Sequence, residues 1–321
     1  MKTENILITG GAGFIGSILV RELLEKGHNV RVMDIFNFGF DSLREIMPNK
    51  NLELFPGDIR KPEDVTRGLE NIDTIIHLAA IVGDPACAVQ ADVAVETNYL
   101  STLRLAMAAR DKKIKNFIFS STCSVYGAKE GILTESSDLN PQSLYAETKV
   151  FAEKGILDLA KDDFKPIILR LGTLYGLSYR PRFDLVINSL TAKIMTDNKC
   201  LIFGGEQWRP FLHVHDAARA FAIANEKYEE MAGKIFNVGE NKSNHQMKDI
   251  GKMFEEIFPS ANIQYIHEIK DPRSYNVSFN EIEKLGFKVT RDIKPSIEEI
   301  RDFIADKKID VSAAKYYNYH P

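Results

Sequence analysis

The chain has 321 residues, of which 44% are hydrophobic, so it is long enough for a cofactor domain plus a second domain. A net charge of −4 with both signs interspersed argues against nucleic acid or a membrane surface as partner. The three cysteines lack metal-ligand spacing, which predicts a cytoplasmic setting and no metal site. No apolar run reaches the ~18 residues of a membrane span, and the N-terminal run is too short for a cleavable signal.

The first predicted elements are a buried strand at 5–9 and a helix at 13–26, joined by a glycine-rich turn. Gly10, Gly13 and Gly16 follow one another with G-x-x-G-x-x-G spacing. In such a turn the first glycine permits the sharp bend, the second lets backbone approach a pyrophosphate, and the third lets the helix pack on the sheet. The amides at the helix N-terminus favour a bound phosphate. The turn therefore predicts a dinucleotide site.

The second predicted strand, at 30–33, ends in Asp34, eighteen positions after Gly16. An acidic residue about twenty positions beyond the turn is placed to accept hydrogen bonds from a ribose diol. A carboxylate there also repels a 2′-phosphate. The position of Asp34 therefore predicts NAD rather than NADP.

Strand-like and helix-like segments continue to alternate through the first half of the chain. Strands are predicted at 52–55, 74–78, 116–120 and 166–170, and helices at about 62–69, 92–111 and 144–161. This alternation predicts an α/β fold with a doubly wound parallel sheet. After Arg170 the pattern loosens into helix-like pieces at 185–195, 216–228, 247–258 and 297–306, separated by polar loops.

The looser second half predicts a smaller substrate-binding domain. We expect one domain at 1–172 and the other mainly at 173–321, with the chain crossing back to the first near 211–245. Substrate is expected between them. The aromatic tail at 316–321 is predicted to dock either on the body of the protein or on a partner.

A hydroxyl-rich segment at 120–127 directly follows a predicted strand, and Tyr145 and Lys149 lie four residues apart on a predicted helix. Ligands of doubly wound sheets bind beyond the carboxyl ends of the strands. At i and i+4, the phenol and the ammonium share one helix face. A tyrosine with a pKa near 10 is a poor base at neutral pH. The nearby ammonium and an oxidised nicotinamide both favour the phenolate, so we expect the pKa of Tyr145 to fall.

These motifs together resemble the extended short-chain dehydrogenase/reductase family, in its nucleotide-sugar epimerase/dehydratase branch. The resemblance runs from Ile6 to about Lys288 and rests on T-G-G-x-G-F-I-G, G-D-I at 57–59, H-L-A-A at 77–80, the Ser/Thr segment and Y-x-x-x-K. It implies a Rossmann sheet with a smaller mixed α/β substrate domain on the C-terminal side. It also implies NAD as cofactor and a nucleotide-diphosphate sugar as substrate.

The resemblance assigns roles to individual residues on the cofactor side. Thr122 would hydrogen-bond the reacting sugar oxygen, Tyr145 would be the base, and Lys149 its partner, which also holds the nicotinamide ribose. Asp58 would contact the adenine amine, and Asn98 would steady the catalytic loop. The full set of implied NAD contacts is Gly10, Gly13, Phe14, Ile15, Gly16, Asp34, Asp58, Ile59, Leu78, Ala79, Ala80, Asn98, Ser120, Tyr145 and Lys149.

On the substrate side the implied contacts are Val82, Thr173, Arg182, Asn188, Arg209 and Arg273. Thr173 stands where the family has an asparagine that contacts the nucleotide diphosphate. Arg209, in R-P-F-L-H-V-H-D, matches an arginine that binds a phosphate. The segment beginning at Val82 resembles a subgroup of sugar C4 dehydrogenases and epimerases. Cys87 in that segment either lines the site or, as we prefer, is a small buried apolar residue.

Dehydratases of this branch carry Asp-Glu directly after the catalytic threonine, where this chain has Cys123 and Ser124. Neither replaces a carboxylate, so 4,6-dehydration is not favoured. The favoured function is an NAD-dependent 4-epimerase acting through a transient 4-keto sugar. A C4 dehydrogenase with net oxidation and a non-catalytic NAD-sensing protein are the alternatives. The helices at 92–111 and 144–161 carry apolar residues on more than one face, which predicts a homodimer through a four-helix bundle.

Overall fold

The structure is a computed structural model that describes residues 3–161, 163–268 and 273–318. The strands are β1 (Asn5–Thr9), β2 (Asn29–Asp34), β3 (Leu52–Pro56), β4 (Thr74–His77), β5 (Asn116–Thr122), β6 (Ala128–Leu133), β7 (Ile167–Leu171), β8 (Thr173–Tyr175), β9 (Lys199–Phe203), β10 (Trp208–His213), β11 (Ile235–Val238), β12 (Asn244–Gln246), β13 (Asn262–Ile266) and β14 (Ser274–Val277). The helices are α1 (Gly16–Glu25), α2 (Pro62–Gly68), α3 (Asp84–Val89), α4 (Ala91–Val95), α5 (Thr102–Asp111), α6 (Leu144–Asp158), α7 (Val186–Asp197), α8 (Val214–Glu226), α9 (Tyr228–Met231), α10 (Met247–Ile257), α11 (Asn280–Lys284) and α12 (Ile293–Lys307).

The main sheet has seven strands in the order β11-β7-β5-β4-β1-β2-β3. β1 pairs in parallel with both β2 and β4, so that Ile6 lies opposite Val30 on one side and Thr74 on the other. The strand order therefore reverses at β1, and ligands of such sheets bind beyond the carboxyl ends of the strands at this switch point. The predicted α/β fold with a doubly wound sheet is confirmed.

The strands of this sheet are apolar because helices cover both faces, as in other parallel sheets. Ile6, Leu7 and Ile8 of β1 are fully buried, as are Phe117 and Phe119 of β5. Because both faces are buried, each strand appears in the sequence as a continuous apolar run without alternating polar residues. These runs made the strands predictable. The other sheets are smaller, with three strands in the order β12-β10-β8 and two parallel pairs, β9 with β13 and β6 with β14.

The chain divides into two compact units, which are described separately. Unit 1 comprises Met1–Thr122, Ser143–Arg170 and Ala218–Phe236. Unit 2 comprises Cys123–Gln142, Leu171–Ala217 and Asn237–Pro321, and its core includes buried side chains of β9, α7, α10 and α12. The domain boundary predicted from the sequence lies after 172, with a return to the first domain near 211–245. In the structure the return spans 218–236, and 123–142 also belong to unit 2.

The structure differs from the predicted elements in both halves of the chain, and the strands β8 to β14 were not predicted. The helix predicted over 92–111 is interrupted by a π-helical turn at Glu96–Ser101, a feature that is frequent at functional sites. The short helix α3 at Asp84–Val89 was not predicted. It begins at Asp84-Pro85, and proline is well tolerated in the first turn of a helix. Within the described ranges, every helix is too short or too polar to cross a membrane.

Candidate active site

The glycine-rich turn after β1 is held against the loop that follows β4. A Cβ on Gly10, whose φ is +73°, would lie 2.8 Å from the Ala79 backbone nitrogen. A Cβ on Gly16 would lie 2.6 Å from the Gly11 Cα, whereas one on Gly13 would meet only the Gly10 carbonyl oxygen at 3.1 Å. Glycine is therefore required for packing at the two ends of the turn. At Gly13 the space remains open, as approach of a pyrophosphate requires.

The residues around the turn fit a dinucleotide. The first turn of α1 contains no acidic residue and no side-chain cap, so its amides suit an anion. Asp34 at the end of β2 accepts hydrogen bonds from the Ala12 amide at 3.1 Å and from the Phe36 amide at 2.9 Å. These bonds fix the carboxylate beside the turn, where a ribose-binding acid is needed. Phe14 is buried in this region and Ile15 is half-buried.

Asp58, the implied adenine contact, is bound by Arg60. The guanidinium Nε lies 3.0 Å from both carboxylate oxygens, and Nη2 donates to Oδ2 at 2.6 Å. This hydrogen-bonded pair holds the pKa of Asp58 below its ordinary value. An adenine amine would therefore share the carboxylate with Arg60, a residue that the sequence analysis missed. The neighbouring Ile59 is buried.

Asn98 lies in the π-helical turn and is fully buried. Its amide oxygen accepts from the Ile81 N–H at 2.8 Å, and its amide nitrogen donates to the Ile81 carbonyl at 2.9 Å and to the Thr148 hydroxyl at 3.3 Å. The turn thus ties the loop after β4 to α6, which matches the implied loop-steadying role. The implied contact of Asn98 with NAD stays a prediction. The loop itself carries the half-buried Leu78, Ala79, Ala80 and Val82.

The structure brings Ser120, Tyr145 and Lys149 together. The Lys149 ammonium donates to the Ser120 carbonyl at 2.9 Å and lies 4.7 Å from the centre of the Phe119 ring and 6.0 Å from that of Tyr145. The helix that carries the pair begins after Ser143, whose hydroxyl accepts from the Ala146 amide at 3.3 Å. β5, which carries Ser120, ends at Thr122, and both residues are 9% exposed. Residues two apart on a strand face the same side.

Burial controls the titration of the groups around Lys149. Burial lowers the pKa of Lys149 to about 8, against the opposing influence of Cys87 and Glu153. Burial raises the pKa of the Cys87 thiol to about 11, and this side chain is fully buried, as the apolar alternative for it requires. Burial lowers the pKa of His77 to about 3. His77 is therefore neutral and bridges the hydroxyls of Thr9 and Thr102 at 2.6 and 2.8 Å.

A buried ion pair that the sequence analysis missed lies one helical turn beyond Lys149. Arg170 on β7 binds Glu153 on α6 with Nη2–Oε2 at 2.6 Å and Nε–Oε1 at 3.0 Å. The Ser121 hydroxyl on β5 donates to the same carboxylate. The side chains of Arg170 and Glu153 are 3% and 2% exposed. The spacing of Tyr145, Lys149 and Glu153 at i, i+4 and i+8 was the available sequence signal, because these positions share a helix face.

In unit 2 the structure brings two of the implied substrate residues together. The Arg209 guanidinium donates to the Trp208 carbonyl at 2.8 Å and to the Arg273 carbonyl. It also lies 5.1 Å from the centre of the Tyr275 ring, in cation–π geometry. The Tyr275 hydroxyl lies 3.3 Å from the Ser124 hydroxyl, so a residue at a dehydratase acid position belongs to the same cluster. Tyr275 carried no motif and was missed.

Two further implied substrate residues, Arg182 and Asn188, form hydrogen bonds with other residues of the protein. Arg182 forms a two-pronged pair with Asp184, at 2.9 and 2.8 Å, and is 7% exposed. Burial alone would raise the pKa of Asp184, but the Arg182 hydrogen bonds and charge keep it below its ordinary value. Asn188 is fully buried, and its amide accepts from the Gly176 N–H and donates to the carbonyls of Gly176 and Arg182. Asn188 therefore braces this loop, and its contact with a substrate stays a prediction.

Thr173, the last implied substrate residue, is half-buried on β8, opposite Phe211 of β10. The described part of the aromatic tail docks on unit 2. The Phe183 amide donates to the Tyr316 carbonyl at 3.0 Å, and the Asn318 side chain accepts from Arg180 at 2.6 Å. Docking on the body is thus observed for 316–318, and 319–321 lie outside the described residues.

Comparison with known sequences identifies relatives along most of the chain. The model of the NAD dependent epimerase/dehydratase family matches residues 6–239. A protein of Bacillus subtilis named uncharacterized UDP-glucose epimerase YtcB is 34% identical over 245 residues, which cover 73% of this chain and 76% of that protein. The UDP-N-acetyl-alpha-D-glucosaminuronate decarboxylase of Bacillus cytotoxicus is 28% identical over 309 residues, covering 93% of this chain and 91% of that one.

Solved structures give the same result. The UDP-glucuronic acid 4-epimerase of Bacillus cereus, crystallised with UDP-glucuronic acid and NAD, aligns with a TM-score of 0.84 at 28% identity, covering 94% of this chain and 99% of that chain. The glycine turn and Asp34 of this chain fit the same cofactor, NAD. Because the family model covers well over half of its residues, this chain belongs to the NAD-dependent epimerase/dehydratase family.

Proposed function

We propose that the protein is a nucleotide-sugar 4-epimerase that acts through a transient 4-keto sugar. The observation that carries this proposal is the buried Lys149 beside Tyr145, where α6 meets the end of β5, in a chain with Cys123 and Ser124 at the positions of the dehydratase acids. Removal of a proton from a sugar hydroxyl needs a tyrosine base with a nearby cation, which Tyr145 and Lys149 provide. Dehydration needs carboxylates, which Cys123 and Ser124 do not provide.

Each residue of the site has one task in this proposal. Tyr145 takes the proton of the C4 hydroxyl, and Thr122 hydrogen-bonds the same oxygen, stabilising the charge that develops on it. Lys149 favours the phenolate of Tyr145 by its charge and holds the nicotinamide ribose. NAD, when bound, would supply a hydride acceptor at C4 that can also give the hydride back. If the keto sugar turns over before the hydride is given back and Tyr145 returns the proton to the oxygen, C4 is inverted with no net redox change.

On the substrate side we propose that Arg209 and Arg273 of unit 2 bind the diphosphate. Arg209 is oriented by two backbone carbonyls and the Tyr275 ring. A guanidinium held in a fixed orientation suits the forked hydrogen bonds that bind a phosphate group. The named relatives act on or bind UDP-sugars, which supports a UDP-sugar as the first substrate to test.

The test is incubation with UDP-, GDP- and dTDP-sugars, followed by NMR of the C4 proton and absorbance of NADH. We expect inversion at C4 for a UDP-sugar and no accumulating NADH. Stoichiometric NADH would instead establish the C4 dehydrogenase. Loss of CO₂ from a UDP-hexuronic acid would establish a decarboxylase, an outcome that the Bacillus cytotoxicus relative makes worth measuring. Binding of NAD without any turnover would leave the NAD-sensing role.

We also propose that the protein is a homodimer through a four-helix bundle. Leu100, Met107 and Phe151, on or beside α5 and α6, are 37%, 44% and 50% exposed, and the Phe151 ring lies 5.5 Å from that of Tyr99. An exposed apolar face on two neighbouring helices is typical of bundle packing across a two-fold axis. We expect light scattering at micromolar concentration to give a dimer and Phe151→Asp to give a monomer. A monomeric native protein would contradict the proposal.

A further inference from the structure

Unit 1 buries three ionisable side chains, two basic and one acidic, near the candidate base Tyr145. Lys149, Glu153 and Arg170 are 3%, 1% and 3% exposed, so two cations and one carboxylate are buried in this unit. Removing a carboxylate from water is costly unless it is paired and fully hydrogen-bonded. Glu153 meets this requirement through the forked contact with Arg170 and the hydrogen bond from Ser121. The cost of placing a carboxylate here calls for a function beyond packing.

The contacts of Glu153 fix the helix that carries Tyr145 and Lys149. Ser121 lies on β5 and Arg170 on β7, and these strands are neighbours in the main sheet. Ser121 also directly follows Ser120, whose carbonyl accepts from Lys149. One carboxylate therefore holds α6 to two strands, next to the point where its lysine meets β5.

Glu153 also differs in charge from the other groups that act on Lys149. Cys87 on α3 is a neutral thiol because burial raises its pKa to about 11. His77 on β4 is neutral because burial lowers its pKa to about 3. The Lys149 ammonium also lies near the Phe119 ring, the phenol of Tyr145 and the Ser120 carbonyl, and Arg170 on β7 is the cation bound to Glu153. Cys87 and, after it, Glu153 act against burial to raise the pKa of Lys149, and Glu153 does so as a carboxylate.

We propose that Glu153 is a positioning residue for the Tyr145–Lys149 pair, anchoring their helix face and keeping Lys149 an ammonium. Its kinetic readout rests on the proposed function, whereas the titration of Lys149 does not. Removing the carboxylate lowers the pKa of Lys149, so the lysine loses its proton at lower pH. The activity that needs the ammonium then declines at lower pH as well.

The test compares Glu153→Gln with Glu153→Asp and with Glu147→Gln, an exposed glutamate on the same helix. The Lys149 amine is titrated by NMR of labelled lysine, assigned with Lys149→Arg, and kcat is measured across pH. For Glu153→Gln we expect both the titration and the alkaline limb of kcat to move down by about one pH unit, a typical effect of one nearby charge. Glu153→Asp should leave the pH of the alkaline limb unchanged while lowering the maximal kcat. Glu147→Gln should change neither quantity.

If Glu153→Gln fails to fold, the double variant Glu153→Gln/Arg170→Met removes both charges, a replacement that buried pairs often tolerate. Because this variant loses a positive charge together with the negative one, its Lys149 titration should shift less than that of Glu153→Gln, while kcat should fall because the anchor of α6 is lost. An unchanged Lys149 titration in folded Glu153→Gln, or an unchanged kcat in the double variant, overturns the proposal. If no sugar nucleotide is epimerised by the native protein, the proposed function fails, and the titration of Lys149 in the NAD complex still decides the role of Glu153.

Discussion

The polar residues of the candidate site are held differently in the two units. In unit 1 they converge on α6, where Lys149, Thr148 and Glu153 are bound by groups on β5, β7 and the π-helical turn. In unit 2 the implied arginines are spread over separate partners, Arg182 on Asp184 and Arg209 on two carbonyls. The residues of unit 1 hold one another in a single arrangement, so they can be tested as a group. The arginines of unit 2 have separate partners, so each must be tested separately as a ligand contact or as a structural brace.

The largest effect is expected at the point of convergence. Tyr145→Phe should lower turnover by about 10³-fold, within the range for a positioned acid–base group. The affinity for NAD should change less than twofold, because the ring remains in place. Turnover by NMR and NAD affinity by calorimetry check this, with Tyr179→Phe, an exposed tyrosine, as the control. Loss of NAD binding in Tyr145→Phe would assign Tyr145 to the cofactor alone.

In unit 2 the corresponding test is Arg209→Met. We expect the KM for the sugar nucleotide to rise by about 10–100-fold, the loss of a charged hydrogen bond worth ~1.5–3 kcal/mol. NAD affinity should not change. The control is Arg291→Met, since its side chain is 43% exposed. An unchanged KM with a lowered melting temperature would show that Arg209 only braces Arg273 and Tyr275. Arg209 would then differ from the catalytic residues of unit 1 in having a structural role.

The pH dependence of the native protein sharpens the comparison within unit 1. Because burial lowers the pKa of Lys149 to about 8, the ammonium is present below that pH and lost above it. We expect kcat/KM to fall about tenfold for each pH unit above this value. Measurement from pH 6 to 10 with saturating NAD checks this. A rate that is flat through pH 9 would show that the charge of Lys149 is not needed.

The smallest effect on activity is expected for Asn188→Ala. Its amide is fully buried on Gly176 and Arg182, so we expect the free energy of unfolding to fall by ~1–3 kcal/mol. The KM for the sugar nucleotide should stay within twofold. Urea unfolding and initial rates at the same temperature separate the two. A tenfold rise in KM at unchanged stability would instead support the direct contact between Asn188 and the substrate that the sequence predicts.

Elements with a local physical cause were predictable. The glycine turn follows from backbone freedom at Gly10 and close packing at Gly16, and the shared face of Tyr145 and Lys149 follows from the helical repeat. The apolar strands of the main sheet followed from their burial on both faces. The π-helical turn around Asn98 was not predictable, because its sequence is ordinary for a helix and its geometry depends on the Ile81 loop.

The sequence by itself thus determined the apolar strands, the dinucleotide turn and the residue types of the Tyr145–Lys149 pair, since each depends on a pattern within a few positions of the chain. Only the tertiary structure decided which charges meet. Glu153 finds Arg170 seventeen residues away, Arg209 reaches the Arg273 carbonyl across 64 positions, and Arg180 meets Asn318 across 138. The physical reason is that a buried charge must be paired, while the partner that satisfies it is selected by packing and not by distance along the chain.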